Sequence, residues 1–256
     1  MEGNKKDFNQ EKEIIQNNLL EINSEEDLIS QLNINLEKIK NNLKKYDDNN
    51  NNTKEFVILI ESGSLAPPHK MHLGIMELTK KYFEQDKTKN RVVICGFLVP
   101  SSDGYVLGKL KNDFIPLSHR INMTKLMIKN SDWLECLDWG FSSGGRIKRY
   151  IDIIIKKEFP EYNIKSYLVF GIDYYLKYKV KVRGQHVCIY RPGYDINIAK
   201  SMYPENLIFI EGSNDDISST LIRNAIRIKD EKTISQMTSK EIIDYIKKND
   251  IFTNDK

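Results

Sequence analysis

Blocks of apolar residues recur along the chain, and segments of helical spacing lie between them. Continuous apolar runs predict strands that are buried on both faces of a parallel sheet. Such runs span residues 55–62, 91–99, 166–171, 186–191 and 206–212, and an alternating run spans 133–139. Helical spacing follows at residues 72–83, 117–129, 146–159, 218–228 and 239–248. This order predicts an α/β fold with a doubly wound, mostly parallel sheet, which binds its ligands beyond the carboxyl ends of the strands.

The first 54 residues differ from the rest because they are rich in Asn, Lys, Glu and Asp and contain no Pro. Apolar residues between Ile14 and Ile39 recur at roughly helical spacing, and the polar tract 47–52 has the composition of a linker. The sequence therefore predicts a helical or disordered N-terminal extension, 1–54, and a globular body, 55–256. The extension is either a solvated tail or a helix that binds a partner.

Composition narrows the class of function. The 39 basic and 36 acidic residues nearly balance, which argues against a dedicated nucleic-acid-binding protein. The three cysteines, Cys95, Cys136 and Cys188, form no CxxC pair, so neither a disulfide framework nor a zinc site is expected. No stretch has the length and hydrophobicity to cross a bilayer, and the N-terminus has no apolar leader. We expect an intracellular protein, cytoplasmic or nuclear, with no membrane partner.

The loop after the first predicted strand carries candidate phosphate-binding residues. Gly63 and Ser64 follow the strand directly, two prolines come next, and a helix begins near His72. A glycine lets phosphate approach the backbone, and a helix N-terminus offers free N–H groups. His69 and His72 lie three residues apart across the first turn, so both rings can donate hydrogen bonds to phosphoryl oxygens. Capping and packing are the alternative roles for such a pair.

A second candidate phosphate site follows the last predicted strand. Ser218, Ser219 and Thr220 stand at the start of a helix, where hydroxyl and backbone N–H groups can surround a phosphate. Arg223 lies one turn later and projects toward the same end. An ordinary capped helix with a solvent-facing arginine is the alternative.

Taken together, the two motifs resemble the signatures of the nucleotidyltransferase superfamily. His69-Lys70-Met71-His72 resembles HxGH, and ISSTLIR resembles ISxTxxR. GSLAPPHKMHL is similar to the first loop of eukaryotic nicotinamide/nicotinate mononucleotide adenylyltransferases, with departures at Leu65 and Ala66. The resemblance implies a Rossmann-like nucleotidyltransferase domain. The ATP-binding residues that it implies are Gly63, Ser64, His69, His72, Gly171, Asp173, Ser218, Ser219, Thr220 and Arg223, of which the last four hold the β- and γ-phosphates.

The middle of the chain resembles the substrate-binding part of the same family. Asp103 and Tyr105 then begin a substrate loop, and either Lys109 or Lys111 contacts phosphate, whereas Arg120 is expected to be structural. The resemblance also implies that Trp133 stacks on the pyridine ring and that Arg191 contacts phosphate or substrate. The second tryptophan of the family is missing after residue 176, and Tyr178 is a candidate replacement.

The activity that the resemblance implies is transfer of AMP from ATP to nicotinamide or nicotinate mononucleotide. The expected catalytic residues are His72 at the α-phosphate and His69 at the departing phosphates. We expect Mg²⁺ to bind mainly through the ATP phosphates, because no acidic cluster suggests a metal site in the protein. A different phosphate acceptor and a non-catalytic nucleotide- or partner-binding relative remain alternatives. The choice between amide and acid and the formation of a homo-oligomer are left open.

Overall fold

The computed structural model describes residues 25–46, 54–86, 88–178, 184–202 and 207–253. The chain divides into two units, one that ends at Ile34 and one that begins at Asn35. In the first unit, helix α1 spans Glu25–Gln31. The predicted linker at 47–52 lies outside the described residues.

The second unit is built on a six-stranded sheet in which each neighbouring pair of strands is parallel. Its strands are β1 (Glu55–Gly63), β2 (Arg91–Pro100), β3 (Leu134–Cys136), β4 (Ile164–Gly171), β5 (His186–Tyr190) and β6 (Leu207–Glu211). Their order is β3-β2-β1-β4-β5-β6, which confirms the predicted Rossmann-like, doubly wound sheet. The winding reverses between β1 and β4, so the carboxyl ends of these two strands flank the position where such sheets bind ligands.

Helices connect the strands and cover the sheet. They are α2 (Glu37–Tyr46), α3 (Lys70–Gln85), α4 (Asp103–Leu110), α5 (Leu117–Met127), α6 (Gly144–Glu158), α7 (Ile172–Tyr178), α8 (Asn197–Met202), α9 (Ser219–Arg227), α10 (Glu231–Met237) and α11 (Lys240–Lys248). The five helices predicted in the body are present. Helices α4, α7, α8 and α10 were not predicted, because segments of 6 to 8 residues are too short to display a helical period.

The core that supports the site lies between the sheet and α3. Met76 and Phe83 of α3 are fully buried and belong to one cluster with Leu59 of β1 and Val169 of β4. Leu65, from the loop after β1, is 1% exposed and belongs to the same cluster, although its φ of 48° is costly for a leucine. The loop is therefore anchored by a buried side chain as well as by its prolines.

Helix α2 packs on the sheet of the second unit, although its residues precede the boundary that the sequence predicts at residue 54. Ile39 and Leu43 of α2 are buried. The Asn42 side chain donates a hydrogen bond of 2.9 Å to the carbonyl of Ile94, where the register of β1 with β2 shifts. Two aliphatic side chains of α2 are thus buried, and its Asn42 binds a carbonyl beside a β-bulge. Helix α2 is therefore part of the second unit.

Cys95, Cys136 and Cys188 are all free thiols, and Cys95 and Cys188 are buried. None of the described helices combines the length and apolar content needed to cross a membrane.

Candidate active site

A cavity of about 440 Å³ opens at the carboxyl ends of β1 and β4. It lies at the position where the strand order reverses, which is the predicted place for a ligand in this kind of sheet. The loop after β1 contributes Gly63, Ser64, His69 and His72 to its wall. Helix α4 contributes Tyr105 and Lys109. The end of β4, the start of α7 and the start of α9 contribute Gly171, Asp173 and Ser219.

The two histidines of the first loop are stacked and hydrogen-bonded to each other. Their ring centroids are 3.7 Å apart with an interplanar angle of 31°. The backbone N–H of His69 donates a 3.0 Å hydrogen bond to Nδ1 of His72, and the N–H of His72 donates one of 3.0 Å to the carbonyl of His69. These bonds fix the start of α3, with His69 as its N-cap residue. In a neutral His72 the acceptor role of Nδ1 requires the proton to be on Nε2, which is then free to donate.

Both imidazoles are uncharged at neutral pH. Burial lowers the pKa of His69 from 6.5 to about 4. Burial also lowers the pKa of His72 well below 6.5, and the nearby charges of His69 and Lys109 lower it further. Since each neutral ring still carries one N–H, the pair offers polar donors to an anion without a net charge.

Arg120 holds the walls of the cavity together. Its guanidinium is fully buried and donates hydrogen bonds to the carbonyl of Ser64 at 3.1 Å and to that of Ser101 at 2.7 Å. It also forms an ion pair of 2.7 Å with Asp103, at the first turn of α4. The expectation that Arg120 is structural agrees with these contacts, and Asp103 faces this arginine.

Lys109 and Lys111 differ in their relation to the cavity. Nζ of Lys109 donates a 3.1 Å hydrogen bond to Oγ of Ser64, and both residues line the cavity. Lys111 lies at the end of α4 with a φ of 51°, is exposed, and does not line the cavity. The geometry therefore favours Lys109 over Lys111 as the lysine that meets a ligand.

The second motif meets the first loop through side-chain donors. The carbonyls of Ala66, Pro67 and Pro68 accept hydrogen bonds of 2.9, 2.8 and 3.0 Å. Their donors are Arg223, Ser219 and Thr238, respectively. Each carbonyl of this rigid segment is thus held by the C-terminal helices.

Arg223, the expected phosphate contact, is held by protein partners. Arg223 is 5% exposed, pairs with Asp113 at 2.9 Å, and donates to the hydroxyl of Thr220 at 3.2 Å. Ser218 caps α9 by accepting from the N–H of Leu221. Of the four residues of the motif, Ser219 is the one that lines the cavity, and its hydroxyl donates to the carbonyl of Pro67.

Trp133, which is predicted to stack on a pyridine ring, is a core residue and is not among the residues that line the cavity. It is 4% exposed and belongs to the cluster between the sheet and α3. Its indole N–H donates a 3.0 Å hydrogen bond to Glu77, and Nζ of Lys80 lies 4.8 Å from the ring centroid. A Cβ at Gly96 would lie only 2.6 Å from the indole, so the ring fills the space that this glycine leaves.

Two predicted residues remain, Arg191 and Tyr178. Arg191 is exposed, lies 3.8 Å from Asp216, and is not among the residues that line the cavity. The side chain of Tyr178 lies outside the described residues. Aromatic side chains on the cavity wall are instead Tyr105, Phe170 and Tyr174, of which the last two are stacked with centroids 4.0 Å apart.

Sequence reasoning missed Glu61. This residue of β1 lines the cavity, is 5% exposed, and has an Oε2 atom with no hydrogen-bond partner. Burial raises the pKa of its carboxyl well above 4.5. The available signal was an acidic residue inside the otherwise apolar run 55–62.

The donor set of the cavity suits a metal that arrives with its ligand. The described residues contain no group of three or more His, Cys, Asp or Glu side chains placed to hold a metal ion. Mg²⁺ usually keeps several waters and binds through substrate phosphates with one or two carboxylates. The cavity wall offers the exposed carboxylate of Asp173, which is a donor of the kind that Mg²⁺ binds.

Comparison with known proteins agrees with the geometry. The family model described as cytidylyltransferase-like matches residues 62–225. A nicotinamide/nicotinic acid mononucleotide adenylyltransferase of Arabidopsis thaliana is 24% identical over 80% of this chain and 93% of its own length. Nicotinamide/nicotinic acid mononucleotide adenylyltransferase 1 of Bos taurus is 25% identical over 80% of this chain and 92% of its own length.

The fold is also shared with a solved structure. Plasmodium falciparum nicotinic acid mononucleotide adenylyltransferase complexed with NaAD aligns with a TM-score of 0.54 and 20% identity. The alignment covers 77% of this chain and 97% of that one.

Proposed function

This chain belongs to the cytidylyltransferase-like family, and from that premise we propose that it is an adenylyltransferase that makes a pyridine dinucleotide. It joins AMP from ATP to nicotinamide or nicotinate mononucleotide and releases pyrophosphate. The observation that carries the proposal is the uncharged, stacked pair of His69 and His72 at the carboxyl end of β1, in a cavity of about 440 Å³. The names and lengths of the relatives support the same reaction.

The reaction is an in-line displacement. The 5′-phosphate of the mononucleotide attacks the α-phosphorus of ATP, a new P–O–P bond forms, and the bond to the β-phosphate bridge breaks. The nucleophile is already an anion, so no side chain has to remove a proton. Catalysis then depends on positioning and on stabilising charge at the phosphoryl oxygens.

We assign different residues of the cavity to positioning the substrates and to stabilising charge. The Nε2–H of His72 is the donor that we assign to the α-phosphate, and His69 is assigned to the departing phosphates. Lys109 supplies a cation beside Ser64, as a point charge for phosphate. Gly171 and Asp173 end β4 and begin α7, where a carboxylate can accept hydrogen bonds from ribose hydroxyls. Ser219 lies next to the first loop, at the side of the departing phosphates.

Mg²⁺ would supply charge neutralisation at the phosphates when it binds together with ATP. Asp173, an exposed carboxylate of the cavity wall, would hold it directly or through water. ATP and a pyridine mononucleotide are the partners that the proposal requires. A homo-oligomer and a partner of residues 1–54 stay predictions.

The test is turnover of the purified full chain with ATP, Mg²⁺ and either mononucleotide, with both the dinucleotide and pyrophosphate measured. We expect stoichiometric products, and a fall in kcat of about 100-fold or more for His72→Ala, because one preorganised donor is lost. His119→Ala is the matched control, since His119 contacts Tyr245 and lies outside the cavity wall. Equal turnover by His72→Ala and the wild type would contradict the assignment of this donor.

A different phosphate acceptor in the same fold is the second candidate. The observation that favours it is the burial of Trp133, which leaves Tyr105, Phe170 and Tyr174 as the aromatic wall. Binding of MgATP without product from either pyridine mononucleotide would support this candidate. Pyrophosphate release with 4′-phosphopantetheine or a sugar phosphate would then identify the acceptor class.

A further inference from the structure

Glu61 is a buried acid in the cavity wall that the reaction described above does not use. It stands two residues before Gly63 and pairs with Leu98 across the sheet. Only 5% of its surface is exposed, and its Oε2 atom is fully buried without a hydrogen-bond partner. His69 and His72 line the same cavity as Glu61.

The surroundings of this carboxyl disfavour its charged form. Among the described residues, none donates a hydrogen bond to Oε2 of Glu61, whereas the carboxylate of Glu55 on the same strand pairs with Arg91 at 2.8 Å. Burial without a counter-charge raises the pKa of Glu61 well above 4.5, so the folded protein favours the protonated carboxyl. A protonated carboxyl has one O–H to donate.

An unsatisfied buried polar atom destabilises the folded protein unless a ligand supplies its partner. Among the described residues, the buried side-chain atoms in this condition are Oε2 of Glu61 and Nδ1 of His69. Both residues line the same cavity. Two unsatisfied atoms in one wall indicate that the cavity is completed by a polar ligand.

We propose that Glu61, as the neutral acid, donates a hydrogen bond to a non-bridging phosphoryl oxygen of the bound nucleotide, beside the histidine pair. Phosphoryl oxygens are acceptors, and an ionised carboxylate in this place would repel them. The identification of the nucleotide as ATP rests on the function proposed above. Glu61 is thereby a third uncharged donor in the cavity.

The charges that face Glu61 across the cavity decide how binding depends on pH. His69 and His72 of the α3 start are neutral, and α4 presents Tyr105 and Lys109. Helix α7 presents Asp173 and Tyr174. As pH rises, ionisation of Glu61 adds a negative charge next to the phosphates and removes a donor. Nucleotide binding is therefore expected to take up a proton at alkaline pH.

The experiment is calorimetric titration of MgATP into the full chain between pH 7 and 9, in buffers of different ionisation enthalpy. We expect Glu61→Leu to weaken MgATP binding by about 10- to 100-fold, the range for loss of one hydrogen bond to a charged group. Glu61→Gln keeps an N–H donor and should bind about tenfold more tightly than Glu61→Leu. Proton uptake should appear in the wild type and disappear in Glu61→Gln.

The controls separate this role from folding and from a metal contact. Glu211→Gln changes an exposed acid at the end of β6, outside the cavity wall, and should leave MgATP binding unchanged. Thermal unfolding of each variant checks the fold, and Glu61→Leu should unfold at a higher temperature because an unpaired polar group has been removed. If Glu61→Leu binds MgATP as tightly as the wild type, Glu61 is a structural residue and the proposal is overturned.

Two further outcomes are informative. Equal weakening by Gln and Leu, together with a higher Mg²⁺ requirement, would make Glu61 an ionised metal contact and would overturn the neutral-donor role. Proton-coupled MgATP binding without dinucleotide formation would leave the Glu61 proposal standing and reject the pyridine acceptor. Dinucleotide formation with a fully active Glu61→Leu would support the pyridine acceptor and reject the Glu61 proposal.

Discussion

The backbone N–H of His69 donates a hydrogen bond of 3.0 Å to Nδ1 of His72, and the two rings stack 3.7 Å apart. This bond determines which nitrogen of His72 carries the proton, and it directs Nε2–H to act as a donor. If the ring were charged, both nitrogens would carry protons and Nδ1 would lose its acceptor role. The geometry and the lowered pKa values of both rings therefore describe one state, in which the pair is neutral.

Acidification should destabilise the protein through this pair. The folded-state pKa of His69 is about 4, below the 6.5 of the unfolded chain, so the unfolded state binds more protons between these values. The stabilisation is complete above pH 6.5 and is lost as pH falls toward 4. From pH 6.5 to 5 the loss is about 2 kcal/mol for His69, at roughly 1.4 kcal/mol per pH unit. His72 acts in the same direction.

Urea unfolding at pH 7 and pH 5 measures this effect. We expect the wild type to lose more unfolding free energy between the two pH values than a His69→Gln/His72→Gln double variant. His119→Gln is the control, because this histidine lies outside the cavity wall. Parallel pH profiles for the wild type and the double variant would contradict the lowered pKa values.

The two lysines at the end of α4 should differ in their effect on activity. Lys109→Ala removes the cation that bonds to Ser64 in the cavity, so kcat/KM should fall by about 10- to 100-fold. Lys111→Ala removes an exposed charge outside the cavity and should leave kcat/KM unchanged within about twofold. Steady-state kinetics with both substrates varied measures the difference. The reverse order of effects would assign the phosphate contact to Lys111.

Trp133 should affect stability and not the recognition of the acceptor. Trp133→Ala is expected to lower the unfolding free energy by about 3–5 kcal/mol, because a buried indole and its bond to Glu77 are lost. Trp133→Phe keeps most of the packing and should leave KM for the mononucleotide unchanged. A large rise in KM for Trp133→Phe, at unchanged stability, would indicate that Trp133 contacts the pyridine ring.

The sequence predicted the sheet because strands that are buried on both faces have a local signature. Residues 91–99 were predicted as a strand, and β2 spans Arg91–Pro100. The place of the cavity followed from the rule for doubly wound sheets, since Gly63 and Gly171 end β1 and β4. These features depend on patterns within single segments, which the amino-acid sequence contains directly.

Which side chains meet across segments could not be predicted from the sequence. The run 133–139 alternates, but alternation does not say that Trp133 faces the core under α3. Arg223 belongs to a motif at a helix start, yet its burial depends on Asp113, which is 110 positions away. Ile39 and Leu43 lie in a polar-rich region, and their burial depends on a sheet formed later in the chain. Such contacts are set by tertiary packing, which periodicity does not encode.

Arg223 tests whether a residue of a local motif is held by tertiary packing or contacts phosphate. Its guanidinium joins Asp113, the carbonyl of Ala66 and the hydroxyl of Thr220 at 5% exposure. Arg223→Met should lower the unfolding free energy by about 1–3 kcal/mol, because a buried charge pair loses a partner and the Ala66 carbonyl loses its donor. The loss is limited because Arg227 also pairs with Asp113.

Arg227→Met is the matched control for this prediction. Arg227 contacts the same carboxylate but is 30% exposed, so its removal should cost less than about 1 kcal/mol. Urea unfolding of both variants, with MgATP titrations on each, separates the two roles of Arg223. A variant that keeps the stability of the wild type but binds MgATP about 100-fold more weakly would show that Arg223 contacts phosphate. Because Arg223 donates to the carbonyl of Ala66, we expect Arg223→Met to lower the unfolding free energy. Any weaker binding of MgATP should then result from the loosened first loop.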